Sequence, residues 1–211
     1  GSSGLVQYGG RVEEDFLRQL QGKRGYAIYR EMAENHPVIG GILSSIEMLF
    51  RSVDWHVEPA DADDQRAVEE AQFVAGCLND MLVYGFSFNE IVYKRRNGET
   101  DDGKSSAFND GRIGWRKLPV RSQDTVYEWK FDKNGGIEGM TQMNPLAGSG
   151  PVFIPIEKAL LFRTSTRLNN PRGRSILRSA YTSWYYQKRI QTIEAIGIER
   201  DLAGLPVAFV P

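Results

Sequence analysis

The chain has 211 residues, 26 basic and 27 acidic, and a net charge of −1 at pH 7. That length supports a real hydrophobic core, and that balance excludes a protein held on nucleic acid by bulk electrostatics, although local basic patches survive the argument. The single cysteine, Cys77, cannot form an internal disulfide, and no run approaches the roughly 18 apolar residues of a membrane span.

Residues 1–11 are glycine-rich and read as an arm without a core of its own. Val12 to Gln21 (VEEDFLRQLQ) reads as a short amphipathic helix, with Phe16 and Leu20 at i, i+4 and Gly22 as its stop. Tyr26 to Asn35 forms a second helix that ends before His36-Pro37. The third, Val38 to Val53, carries Ile39, Ile42, Leu43, Ile46, Leu49 and Phe50 at helical spacing, the pattern of a core helix. Within it Gly40, Gly41, Ser44 and Ser45 would let another backbone approach closely. Trp55 to Pro59 alternates like a strand, and Asp61, Asp63 and Asp64 favour the start of a helix that runs to about Tyr84. Cys77 lies in the apolar part of that helix (AQFVAGCLNDM) and reads as a small buried hydrophobe.

Gly85 breaks the helix, and Phe86 to Arg96 reads as a strand with Phe86, Phe88 and Glu90 toward one face. Asn97 to Gly111 is polar, with turn pairs Asn97-Gly98, Asp102-Gly103 and Asp110-Gly111, and reads as an exposed loop. Ile113 to Arg121, Thr125 to Asp132 and Ile137 to Met143 are short strands, the last two joined by the hairpin signal Lys133-Asn134-Gly135-Gly136. Val152 to Arg163 is a further strand or pair of strands.

Asn170-Pro171-Arg172-Gly173 is turn chemistry, Ser175 a helix cap, and Ala203-Gly204 a helix stop, which frames one long helix within residues 172–202 and a short strand over 205–211. Along that helix Leu177, Ala180, Tyr181, Trp184 and Tyr185 make one apolar arc, rejoined by Ala195 and Leu202. Tyr186, Ile190, Ile193 and Gly197 fall nearly opposite. Two greasy faces imply cover on both sides, from a second layer of the chain or from a neighbouring subunit. Arg174, Arg178, Lys188, Arg189 and Arg200 share a flank, either solvated and ion-paired or facing phosphate or another subunit. Helices first, a small sheet region over 86–163 and one long helix behind make an α+β arrangement.

Catalytic machinery is hard to find. His36 and His56 lack metal-ligand spacing, and there is no nucleophile elbow or P-loop. The acidic clusters Asp61-Asp63-Asp64 and Asp101-Asp102 occupy contexts where solvated carboxylates are common, so neither a metal nor another cofactor is expected. Glu90 beside Phe86 and Phe88 is open to two readings: a general acid, or a structural carboxylate paired with an arginine, for which Arg200 is one candidate.

The order of features resembles the portal proteins of tailed bacteriophages. Tyr84-Gly85-Phe86-Ser87-Phe88-Asn89-Glu90-Ile91-Val92-Tyr93 is similar to the family's strand entry, and Pro155-Ile156-Glu157-Lys158 to its later proline-lysine segment. Asn170-Pro171-Arg172-Gly173-Arg174-Ser175 resembles its turn before a long helix, here holding Tyr181, Trp184 and Lys188. Glu199-Arg200 with Gly204-Leu205-Pro206 resembles its helix ending, and Phe50 to Val57 the early helix-to-strand step. Two departures stand out. A helical stretch usual before the strand entry is missing where Asp80-Met81 runs into Leu82-Val83-Tyr84, and the chain stops where portals continue into stem and clip. With Gly-Ser-Ser-Gly in front and strand-like Val207 to Val210 at the end, the expectation is part of a longer polypeptide, an arm (1–11) and a wing-like domain (12–211).

The resemblance implies a structural, non-enzymatic subunit of a homo-oligomeric ring, a dodecamer in the virion, at one capsid vertex. It implies as partners the major capsid protein, the terminase large subunit, a head-tail adaptor and double-stranded DNA passing through the channel, with assembly in the host cytoplasm and no membrane. Another phage adaptor or minor head protein, a nucleic-acid-processing enzyme with its active site elsewhere, and a host-derived binding module remain as alternatives.

Overall fold

The structure, a computed structural model, describes residues 4–13, 15–53, 67–99, 105–106, 108–143, 150–202 and 204, and for 67–72 the backbone alone. The expected strand at 55–59, the aspartates at 61–64 and 101–102, and the terminal strand at 205–211 with Pro206 lie outside the described residues.

The arrangement is α+β, with a helical first part, small antiparallel sheets and a long helix behind them. A minimal hairpin, β1 (Gln7–Tyr8) and β2 (Arg11–Val12), precedes a single 3-10 turn at Arg18–Leu20. The helix expected over 12–21 is therefore not there. Val12 is a buried strand residue, Phe16 is 94% exposed, and only Leu20 of the expected pair is buried. Gly22, expected to stop a helix, instead starts one: with φ +59 it lets the chain turn into α1 (Gly22–Asn35).

α2 (Pro37–Arg51) follows after one residue. His36 caps it, its Nδ1 accepting from the Ile39 N–H at 3.3 Å, and Pro37 occupies the first turn, where a missing N–H costs nothing. The core-helix reading of α2 fails: Leu43 alone is buried, and Ile42, Met48 and Leu49 are 55%, 71% and 67% exposed. The reason is packing partners, since α1 and α3 cover only one side. Gly40 does serve close approach, since a Cβ there would sit 3.0 Å from the Ala33 carbonyl of α1, whereas one at Gly41 would meet open space.

α3 (Ala67–Tyr84) passes through Asp80-Met81 without a break and stops at Gly85. Phe86 to Arg96 is two strands, β3 (Phe86–Glu90) and β4 (Val92–Asn97). They are divided at Ile91, whose N–H donates to Lys158 O at 2.8 Å in continuation of the β3–β10 register. β5 (Asn109–Lys117) starts inside the expected loop and pairs with β4, and Pro119 separates it from β6 (Val120–Arg121). β7 (Val126–Phe131) and β8 (Ile137–Gln142) form the expected hairpin, where Asp132 Oδ1 accepts from the N–H groups of Asn134 and Gly136 at 2.8 and 2.6 Å. β9 (Val152–Pro155) extends that sheet, and β10 (Ala159–Arg163) pairs with β3 in the sheet β10-β3-β6.

Two cores result. One gathers Val12, Tyr26, Phe86, Phe88, Val126, Trp129, Met140 and Ile154, joining the arm, α1 and both three-stranded sheets. The other gathers Leu20, Tyr29, Met32, Leu43, Val83, Leu177, Tyr181 and Trp184 between the helices. Cys77 is buried, and burial pushes its thiol pKa up, as suits a packing residue.

Asp80 near the end of α3 gives a pH-dependent expectation. Burial raises its pKa above 3.8, opposed in part by a hydrogen bond from Gln123. Between 3.8 and the raised value the folded chain holds more proton than the unfolded chain, so this group's contribution to stability falls as pH rises. Asp80→Asn, which keeps an acceptor but no charge, should therefore raise the melting temperature at pH 7. Its advantage should vanish below the unfolded carboxylate pKa; thermal unfolding at the two pH values measures it.

Candidate functional site

The positions singled out in Tyr84-Gly85 and in Asn170 to Ser175 lie far apart in sequence and meet in space. The meeting begins with turn chemistry: Asn170 Oδ1 accepts from the Arg172 N–H at 2.9 Å, and Pro171 beside it is fully buried. The turn brings Gly173 (φ +57) against Gly85 (φ +94) so tightly that neither tolerates a Cβ. An added Cβ at Gly173 would lie 2.1 Å from Gly85 O, and one at Gly85 would lie 2.6 Å from Arg172 O. Both glycines are thus required twice, for backbone conformation and for contact.

Thr164, just past β10, ties the two segments together. Its N–H donates to Gly85 O at 3.0 Å, its hydroxyl donates to Arg174 O at 2.6 Å, and its Oγ1 accepts from the Arg174 N–H at 2.9 Å. Ser175 is buried, donates to Val83 O at 2.5 Å, and accepts from the Leu177 N–H at 3.1 Å. It caps a short 3-10 turn, Ile176–Arg178, rather than the long helix. That helix, α4, runs Tyr181–Leu202 after a turn at Ser179-Ala180. Arg163 Nη1 donates to Asn169 Oδ1 and to Asn170 O, both at 3.1 Å, and Arg172 Nη1 donates to Val12 O at 3.1 Å. Tyr84 meets Tyr26 edge-on at 6.0 Å, and its hydroxyl accepts from Arg30 Nε at 3.3 Å while Arg30 pairs with Asp124. The assembly is a mechanical joint: it fixes where α4 leaves the body relative to α3 and the β3 sheet.

Glu90 pairs with an arginine, but that arginine is its cross-sheet neighbour Arg121 and not Arg200. Glu90 belongs to β3, whose residues Phe88 and Asn89 pair with Arg121 and Val120 of β6, so the sheet register supplies the partner. Glu199 and Arg200 lie on the exposed end of α4.

The basic flank divides. Arg178 pairs with Asp15 at 2.7 Å, both about 20% exposed, and Lys188 pairs with Glu31 of α1. Arg189 Nε donates to Tyr185 OH at 3.2 Å. Arg174 and Arg200 are exposed and without an ion-pair partner among the described residues. Asp15, Phe16, Arg167, Arg172, Arg174 and Arg178 face an open cleft of about 330 Å³, in which the arginines outnumber the carboxylate. Thr164, Asp15 and Arg121 are the partners that sequence reasoning missed. None sits in a recognisable pattern, since each acts through a contact between distant segments.

α4 is held at one end only. Tyr181 and Trp184 anchor it in the second core, and Gly204 (φ +71) follows its end. From Tyr185 to Leu202 every residue is exposed, about 27 Å of helix. The second layer of the same chain that would cover both apolar faces is not found among the described residues.

Among the described residues no group of three or more His, Cys, Asp or Glu could hold a metal ion, and no helix is long and apolar enough to cross a membrane. The joint aims a rod outward, and a family model described as the portal protein of Mu bacteriophage matches residues 26–209: the chain belongs to that portal protein family.

Proposed function

We propose that the chain is the wing-like part (12–211, with 1–11 as an arm) of a portal subunit. Copies of it form a closed ring at one vertex of the phage capsid, a dodecamer in the virion. Through the ring's channel double-stranded DNA is packaged and later ejected, and the ring joins head to tail. The subunit is structural; the energy for packaging comes from the terminase large subunit, and the major capsid protein and a head-tail adaptor complete its partners. It assembles in the host cytoplasm and ends in the virion. Arg174, Arg189 and Arg200, the flank cations without an acidic partner among the described residues, face a neighbouring subunit or the DNA.

The observation that supports this best, beside the family membership, is the free half of α4. Ile190, Ile193, Ile196, Ile198 and Leu202 are 51–84% exposed, an apolar surface that a solitary subunit leaves in water. Burying such a face between copies, at about 25 cal/mol per Å² of apolar area, is a driving force for association. Electron microscopy of the purified protein tests it: rings with a central channel wide enough for duplex DNA are expected. A monomer at high concentration, absent from purified virus particles, would end the reading.

A further inference from the structure

We propose that the β4–β5 ribbon of one subunit docks on the free half of α4 of the next, and that this contact sets the ring's head-to-tail interface. The inference rests on the ring reading and adds the two surfaces that meet. A two-stranded ribbon is at best marginally stable alone, and this one is fully exposed on one face, with Val92, Lys94 and Arg96 half-buried on the other. Its cross-strand register places Tyr93 opposite Trp115 and Arg95 opposite Ile113, so these four share one face. Tyr93, Ile113 and Trp115 are 43%, 71% and 59% exposed.

The ribbon is also basic. Its strands carry Lys94, Arg95, Arg96, Arg112, Arg116 and Lys117 against Asp110, in a chain of net charge −1. Asp110 is committed to Arg96, at 3.0 Å, with Arg112 beside it. Arg95 and Arg116 have no ion-pair partner among the described residues. The partner surface must therefore be apolar and acidic together.

The far half of α4 has that composition. At about 100° per residue, Ile190, Ile193, Glu194, Gly197, Ile198 and Asp201 fall within about 140° of arc, and all six are exposed. A Cβ at Gly197 would meet open space, so the face has a flat seat at its middle. Lengths agree: six residues of β4 span about 20 Å, as do residues 190–202 of the helix. Duplex DNA would satisfy the ribbon's cations but leave Ile113 and Trp115 facing phosphate; the α4 face satisfies both. Because ribbon and rod are different surfaces, the contact is heterologous, the kind that closes into a ring by rotation.

Co-expressing one copy carrying Trp115→Cys with another carrying Ile193→Cys tests the contact directly. An oxidised cross-link between unlike copies is expected, with little background from buried Cys77. Charge reversal tests the energetics. Arg95→Glu with Arg116→Glu, and separately Glu194→Lys with Asp201→Lys, should each raise the concentration for half-assembly by about tenfold or more. All four together should restore assembly toward the unaltered protein. Reversed positions are exposed, so circular dichroism should remain unchanged. Intact rings in all variants with no cross-link would overturn this interface and leave the portal reading standing. Salt-sensitive DNA retention lost on ribbon reversal, with rings unaffected, would overturn it too. A monomeric unaltered protein would remove both proposals.

Discussion

Gly173→Ala is expected to cost about 3–5 kcal/mol, enough to unfold a marginally stable domain or block its accumulation. Two penalties coincide there. At φ +57 a residue with a Cβ sits in the left-handed region, at roughly 1–2 kcal/mol. The Cβ would also lie 2.1 Å from Gly85 O and 3.0 Å from Thr164 Oγ1, so the joint has to open. Opening it breaks the Thr164 bonds to Gly85 and Arg174 and strands buried Ser175 between Val83 and Leu177. Gly85→Ala should cost a similar amount, because its Cβ would lie 2.6 Å from Arg172 O and 2.7 Å from Arg174 C. The two act on one contact, so the double variant should lose less than the sum. Gly76→Ala in α3, where a Cβ meets open space, is the control and should stabilise by about 0.5–1 kcal/mol. Urea unfolding of the four variants measures all of this; a Gly173→Ala loss under about 1 kcal/mol would mean that the loop relaxes and is not a rigid joint.

What the sequence revealed and concealed follows from the range of the interactions. Punctuation was local and readable. His36-Pro37 separated α1 from α2, Lys133 to Gly136 made the β7–β8 turn, and Gly85 ended α3, because backbone conformation at such residues is set within a turn's length. Burial was not readable in the same way. Apolar spacing identified α2 and α4 as helices but not what covers them: Ile42 and Leu49 read as core and are exposed, and Ile190 and Ile193, read as a face seeking cover from the chain or a neighbouring subunit, are exposed too. A periodic stripe says that a face seeks cover; whether the cover lies in the same chain is a tertiary matter. The segment 12–21 failed differently. Its Phe16-Leu20 spacing suited a helix, yet Asp15 Oδ1 accepts from the Leu17 N–H at 2.9 Å and Arg178 holds that carboxylate from 163 residues away. Of the joint, Tyr84, Gly85, Asn170, Gly173 and Ser175 were visible as motif positions, but their contact with each other was not, nor was Thr164.

Trp129 is where the second large effect is expected. Truncation to alanine should cost about 3–5 kcal/mol, because Trp129 is the largest fully buried side chain among the described residues and the first core closes around it. Phe86 and Phe88, both from β3, meet its ring edge-on at 5.7 and 5.8 Å, so one indole joins the β3 sheet to the β7 sheet. The N-terminal arm closes over the same residue: the Trp129 N–H donates to Gly10 O at 2.9 Å, and a Cβ at Gly10 would lie 2.7 Å from Trp129 O. Phenylalanine should behave otherwise. It keeps an aromatic edge for both partners and loses only part of the volume, a cost of about 1–2 kcal/mol. Against that, the buried indole N–H has no acceptor among the described residues. An unmade buried hydrogen bond carries a penalty of about 1–3 kcal/mol that the substitution removes. The expected order of melting temperature is therefore unaltered protein and Trp129→Phe close together, with Trp129→Ala far below. Because the alanine cavity lies between the sheets and not at the joint, Trp129→Ala and Gly173→Ala should add to within about 0.5 kcal/mol, by the rule for sites without shared partners. A Trp129→Phe variant as unstable as Trp129→Ala would mean that the indole N–H is bonded and holds the sheets in register.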